Sequence, residues 1–167
     1  MQPSGQKREA TPFLAGAFNE DQAQVSPDGR WLAYVSDESG KREIYVQAFS
    51  PGGSADTDAA RTKVSEGGGS YPRWRRDGKE LFYLDAGTLG VNSAQMMAVD
   101  VTADTAFKAG IPAPLFRTLL RGFAEFPWDV SADGQRFLIA TPGGTSPGTV
   151  EEPFTVVTNW ESGLLKK

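Results

Sequence analysis

The apolar positions of this chain fall in short runs fenced by turn residues, and one such run is written three times. "SPDGRWLAYVSD" occupies residues 26–37, "RRDGKELFYLDA" 75–86 and "SADGQRFLIATP" 131–142. In the first copy Trp31, Ala33 and Val35 point one way along an extended chain and Leu32 and Tyr34 the other, and both sets are apolar. A short continuous apolar run between turn signals predicts a strand buried on both faces. "LFYL" (81–84) and "FLIA" (137–140) predict the same. The turns that launch these strands share Asp-Gly. In Ser26-Pro27-Asp28-Gly29, Pro presets φ near −65° and Gly accepts a left-handed φ, so a type I turn with a glycine bulge is predicted. The other two turns keep Asp-Gly and lose Pro, and the three Asp residues read as turn formers, not metal ligands.

Anchored on Asp28, Asp77 and Asp133, the copies are spaced 49 and 56 residues apart, a period that points to propellers or solenoids. Each unit parses into four pieces. A short strand precedes the turn (23–26, 72–75, 128–131) and the apolar run follows it. A third strand comes after a polar loop (43–49, 95–101, 154–160), and a weaker outer strand closes the unit (61–65, 113–118). "TPFLAG" (11–16) matches the outer piece ahead of the first full unit, and no outer strand follows the third. This offset is what a ring closed by a terminal strand would need. Window 92–106 is weakly helical, but "MMAVDV" alternates as a strand, so no helix is predicted. The expectation is an all-β fold of about three four-stranded antiparallel propeller blades. They would form a partial ring or one completed by oligomerisation. Residues 1–10 are expected as a disordered tail, the outer strand at 11–16, and blades at about 22–65, 71–118 and 127–160 within one domain spanning 11–165.

The stretch "FNEDQAQVSPDGRWLAYVSDESGKREIYVQAF" resembles the WD-repeat-like (PD40-type) repeat of TolB-type propellers, and "YPRWRRDGKELFYL" and "VVTNWESGLLKK" resemble the propellers that follow some bacterial serine/threonine kinase domains. The resemblance covers about residues 11–165. It implies a non-catalytic binding or scaffold module for protein, peptide or cell-envelope ligands, in a periplasmic or extracytoplasmic setting. It carries over no catalytic residue, because no kinase motif is present. The alternative is the gating propeller of a larger hydrolase of the prolyl-oligopeptidase kind, or a truncated or engineered repeat that only assembles. Propellers usually have about 4–8 blades, so three imply missing blades or self-association, a dimer giving six.

Composition narrows the chemistry. There is no Cys and no His among 167 residues, so thiolate nucleophiles, disulfides, Ser-His-Asp triads and the usual zinc ligand sets are out. No metal and no cofactor is expected. The net charge of −4 gives no basic footprint for nucleic acid. No apolar stretch reaches the roughly 18 residues of a membrane helix, and the first residues contain no signal-peptide h-region. Nineteen Gly and eleven Pro suit many turns.

Candidate motifs reduce to a short list. "SPDGRW" lacks the spacing of a sialidase Asp-box. Carboxylate pairs at Glu20/Asp21 and Asp37/Glu38 lie in solvated loops. "EGGGS" (66–70) lacks the Lys-Ser/Thr and helix of a phosphate loop and reads as a flexible connection. Trp31 and Trp74 read as core, and Trp128 as the best exposed aromatic. "RWRR" (73–76) reads as a partner for carboxylates. In a propeller, the loops entering the inner strands and those joining second to third strands gather at one channel mouth. That places Asn19, Asp21, Asp37, Arg42, Tyr71, Arg73, Asp85, Arg121 and Trp128 on the surface where a ligand would bind.

Overall fold

The computed structural model describes residues 12–14, 16–50, 60–85, 93–120, 127–141 and 154–158. They form strands and turns with no helix among them. The first sheet runs β1 (Glu20–Val25), β2 (Trp31–Ser36), β3 (Glu43–Ala48) and β4 (Thr62–Lys63), each pairing antiparallel with the next. The second has β5 (Ser70–Trp74), β6 (Glu80–Asp85) and β7 (Ser93–Ala103). The long β7 then pairs with β9 (Ala113–Leu119) along its first half and with β8 (Phe107–Ala109) along its second. The third has β10 (Trp128–Val130), β11 (Arg136–Ala140) and β12 (Phe154–Thr158). Each sheet is one of the expected blades.

The turns match the sequence reading. The Gly29 N–H donates to the Ser26 carbonyl at 2.9 Å, Gly78 to Arg75 at 2.9 Å and Gly134 to Ser131 at 2.9 Å. The three glycines have φ of 75°, 71° and 75°, a region closed to most Cβ-bearing residues. The Ser26 hydroxyl donates to the Asp28 carboxylate at 2.5 Å and accepts the Trp31 N–H at 3.0 Å. Ser131, Asp133 and Arg136 repeat this arrangement at 2.5 and 3.0 Å. Arg75 stands in the serine position of the second turn, its guanidinium on Asp77 at 2.8 Å and Glu80 at 2.7 Å.

The two-sided burial of the second strands is as read in β2 and β6, where it stacks the blades. It is not as read in β11, whose Phe137 and Ile139 are buried while Leu138 is 45% exposed, because no further blade among the described residues lies against that face. Ala33 and Val35 of β2, with Ile44 and Val46 of β3, pack against Leu81, Tyr83, Val99 and Val101 of the second blade. The other side of that blade, Phe82, Leu84, Met96 and Ala98, packs against Trp128, Phe137 and Ile139 of the third. Each fully buried large side chain contributes about 1.5–3 kcal/mol.

Two further differences from the sequence reading stand out. Within 11–16 the described residues 12–14 and 16 form no strand. Phe13 and Leu14 instead lie with Phe49 on Leu32, Tyr34 and Tyr45, the Phe13 and Phe49 rings 5.0 Å apart. Among the described residues these apolar side chains are what covers the rear face of the first blade. The second difference is β8. It forms because Phe107 fills the gap between Trp31 (5.5 Å) and Trp74 (6.3 Å) at the junction of two blades, a contact invisible in local sequence.

Candidate functional site

The innermost strands β1 and β5 are not regular. Their pairing with β2 and β6 slips between Asp21 and Gln24 and between Ser70 and Arg73. At each slip one non-glycine residue is left-handed: Gln22 at φ 54° and Tyr71 at φ 56°. Both lie six residues before the Asp of their turn, so this is a feature of the repeat. Each costs on the order of 1–3 kcal/mol and persists only where surroundings hold it. Here the Gln22 side-chain carbonyl accepts the Tyr71 N–H at 2.7 Å, which ties one bulge to the next. The same position of the third blade is Pro127, whose fixed φ forbids a left-handed turn, and β10 pairs with β11 without a slip.

The bulges bring most of the expected mouth residues to one end of the strands. Asn19 donates its N–H (3.0 Å) and its amide (2.6 Å) to the Asp37 carboxylate, and these bonds hold that carboxyl below its ordinary value. Arg42 donates to both oxygens of Asp21, at 2.7 and 3.0 Å. Arg73 donates to the Pro72 carbonyl at 2.9 Å and places its guanidinium 5.9 Å from the centroid of the Trp128 ring, a cation–π distance. Burial pulls the Arg73 guanidinium down from its ordinary value, with the Asp129 charge opposing. Tyr71, Arg73 and Trp128 thus join the second and third blades as Asn19, Asp21, Asp37 and Arg42 line the first. Asp85 ends β6, opposite Gln95. Arg121 lies outside the described residues.

Trp128 is not the exposed platform expected of it. It is 3% exposed, packed with Phe137 at 6.0 Å, because the third blade has no bulge to swing the start of β10 outward. Its indole N–H is buried without an acceptor.

Gln22 and the buried Glu43 were not legible as site-shaping residues. Glu43 is fully buried. Its carboxylate accepts from the Ser65 hydroxyl at 2.5 Å and from the N–H groups of Gly67 and Gly68 at 3.1 Å each, with the Lys41 ammonium 3.5 Å away. The glycine-rich segment is therefore a nest for an internal anion, not a flexible connection. Gly69 is enforced by space, since a Cβ there would meet Ile44 and Ser65 atoms at 2.7 Å. This latch fixes the entry into β5 and so the Tyr71 bulge.

At the opposite, turn-bearing end a cleft of about 590 Å³ lies between the first two blades, lined in part by Arg30, Trp31, Trp74, Arg76 and Lys79. Arg30 spans the junction, donating to the carbonyls of Ala103 (2.6 Å) and Asp104 (2.7 Å). Asp21, Asp37 and Glu38 are each engaged by Arg42, Asn19 and Arg61. Among the described residues no three metal-ligating side chains come together.

No family model matches the chain, and no curated protein does. Solved structures do. TolB from Acinetobacter baumannii superposes with a TM-score of 0.57 at 18% identity, over 81% of this chain and 29% of that one. A puromycin-hydrolyzing peptidase from Mycobacterium tuberculosis superposes with a TM-score of 0.52 at 17% identity, over 77% of this chain and 19% of its own. The chain thus spans under a third of either neighbour. What these likenesses establish is architecture: three consecutive blades of a TolB-like β-propeller, their ring not closed.

Proposed function

We propose that the chain is a non-catalytic propeller segment that binds an extended peptide or protein loop at the mouth formed by Asn19, Asp21, Asp37, Arg42, Tyr71 and Arg73. The observation that carries the reading is the repeated left-handed bulge at Gln22 and Tyr71, backbone strain kept at one end of the inner strands and linked across blades. Around it lie carboxylates, guanidinium groups and an aromatic ring, a mixed surface suited to a peptide's amides and side chains. The test is a peptide array probed with the purified chain, followed by titration of the best binder. Arg73→Ala and Asp37→Ala should each weaken binding about tenfold or more without lowering the melting temperature by more than a few degrees. Binders unaffected by both substitutions would refute the placement.

The peptidase likeness supports a second reading, in which these blades screen access to a hydrolase domain. An aminopeptidase or ester assay on the parent protein, with and without these blades, separates the two. Gating predicts relaxed size selectivity when the blades are removed, whereas the binding reading predicts no peptidase activity to alter.

A further inference from the structure

Residues at equivalent places of the three second strands show what each blade face expects. On the leading side, toward the following blade, stand Ala33 and Val35, then Phe82 and Leu84, then Leu138 and Ala140. The first two pairs are buried under the following blade. Leu138 is 45% exposed and its cross-strand neighbour Val156 57% exposed. They border a groove of about 280 Å³ that also includes Asp129, Val130 and Arg136. On the trailing side stand Leu32 and Tyr34, Leu81 and Tyr83, and Phe137 and Ile139, all buried. The last two pairs are covered by a blade. Among the described residues the first is covered by Phe13, Leu14 and Phe49 and by no blade.

That cover is incomplete. Val25 occupies the place that Trp74 holds in the second blade, three residues before the turn Asp. Trp74 packs into the blade junction and its indole N–H donates to the Gln24 carbonyl at 3.1 Å. Val25 is 45% exposed. A groove of about 170 Å³ runs beside Phe13 and Leu14, with Glu20 and Asp21 in its wall. Arg136 stands on the open leading face. One chain thus carries both halves of a blade junction, apolar against apolar.

We propose that the open face of the third blade docks on the trailing face of the first blade of a second copy, displacing the strap of residues 12–14. Head-to-tail contacts either close or run on as filaments. Two copies with three blades each give six, within the usual propeller range, so the arrangement closes through two identical contacts. The strap competes intramolecularly, at an effective concentration in the millimolar range, and therefore sets how readily copies join. This association is independent of the peptide-binding reading, since it uses the flat faces of the end blades rather than the mouth.

The test is sedimentation velocity of the 167-residue chain from about 1 to 200 μM, with circular dichroism melts as the folding control. Wild type should show a monomer–dimer equilibrium. Phe13→Ser with Leu14→Ser should tighten it about tenfold by freeing the trailing face. Leu138→Asp should shift it to monomer with the melt nearly unchanged, because Leu138 is exposed. Should Leu138→Asp fail to fold, Val156→Asp supplies the second reading, expected to weaken association because Val156 is the exposed cross-strand neighbour of Leu138 on the same face. The proposal is overturned by a monomer at every concentration in both wild type and strap variant, or by association indifferent to Leu138 and Val156. A dimer lost with Leu138→Asp but not tightened by the strap variant also overturns it, since that outcome marks two third blades meeting face to face.

Discussion

Replacing Gly29 and Gly134 by Ala isolates what the turn glycines do. The two share φ of 75°, so the backbone cost of a Cβ is the same at both, about 1–2 kcal/mol. Loss of unfolded-state freedom returns about 0.4–1 kcal/mol, which leaves roughly 1 kcal/mol. Around Gly29 nothing lies within 4 Å of an added Cβ, and that is the whole effect. At Gly134 the Cβ would stand 2.9 Å from Arg75 Cδ and 3.2 Å from Phe82 Cζ. Neither neighbour yields cheaply. Arg75 is pinned by Asp77 and Glu80, and the Phe82 ring sits edge-on to Phe137 at 5.1 Å. Overpacking of this kind adds about 1–3 kcal/mol. Expected totals are about 1 kcal/mol for Gly29→Ala and about 2–4 kcal/mol for Gly134→Ala. At about 2–4 °C per kcal/mol for a chain of this size, thermal melts should fall by roughly 2–4 °C and 5–15 °C. In an Arg75→Ala background the extra cost at Gly134 should shrink, because one of the two colliding side chains is gone. Equal losses at the two positions, or a larger one at Gly29, would refute the claim that adjacent turns pack against each other.

The Ser26 hydroxyl holds the Asp28 carboxyl at about 2, down from 3.8, and Ser131 and Arg75 lower Asp133 and Asp77 likewise. A lowered folded-state pKa gives stability that is present above the unfolded value and lost as pH falls through the folded one. Melting temperature should therefore drop between about pH 4 and 2, and less steeply in a Ser26→Ala, Ser131→Ala variant; parallel profiles would count against the turn bonds. Glu43→Ala leaves the Gly67 and Gly68 N–H groups and the Ser65 hydroxyl without their acceptor. It should cost about 1–3 kcal/mol, read by urea unfolding, and no measurable loss would rule out the latch. Phe82→Ala empties the centre of the junction between the second and third blades. It should cost about 3–5 kcal/mol, and hydrogen exchange should show protection lost in β10–β12 before β1–β4.

What the sequence showed was what its local chemistry controls. Asp-Gly forces its turn wherever it occurs, and the parity of apolar positions assigns Leu32 and Ala33 to opposite faces before any coordinates exist. Strand order fixes which loops share an end, and Asn19 with Asp37 and Asp21 with Arg42 meet there. Hidden were features decided by partners about 10 to 40 residues away. The Gly67–Gly68 nest needs Glu43 from another strand. Trp128 is buried by Phe137 and Phe116 against Phe137, so its place beside "EFP" said nothing about exposure. Phe13 and Leu14 scored as a strand by composition, yet had only a face to cover and no edge to pair.

The third blade also acts as an internal control on the first two. It pairs β10 with β11 in regular register from Trp128 onward, so a blade of this kind forms without a bulge. The left-handed residues at Gln22 and Tyr71 are therefore not demanded by the sheet, and their strain must be offset outside it. Part of the offset is visible in the Gln22–Tyr71 hydrogen bond and in the latch at Glu43 that fixes the approach to β5. Both act across segments, one between blades and one between β3 and the following connection. Together they turn the starts of two inner strands while Pro127 keeps the third straight and Trp128 buried. The mouth is consequently asymmetric, with charged groups over the first blade and a guanidinium stacked on an indole toward the third.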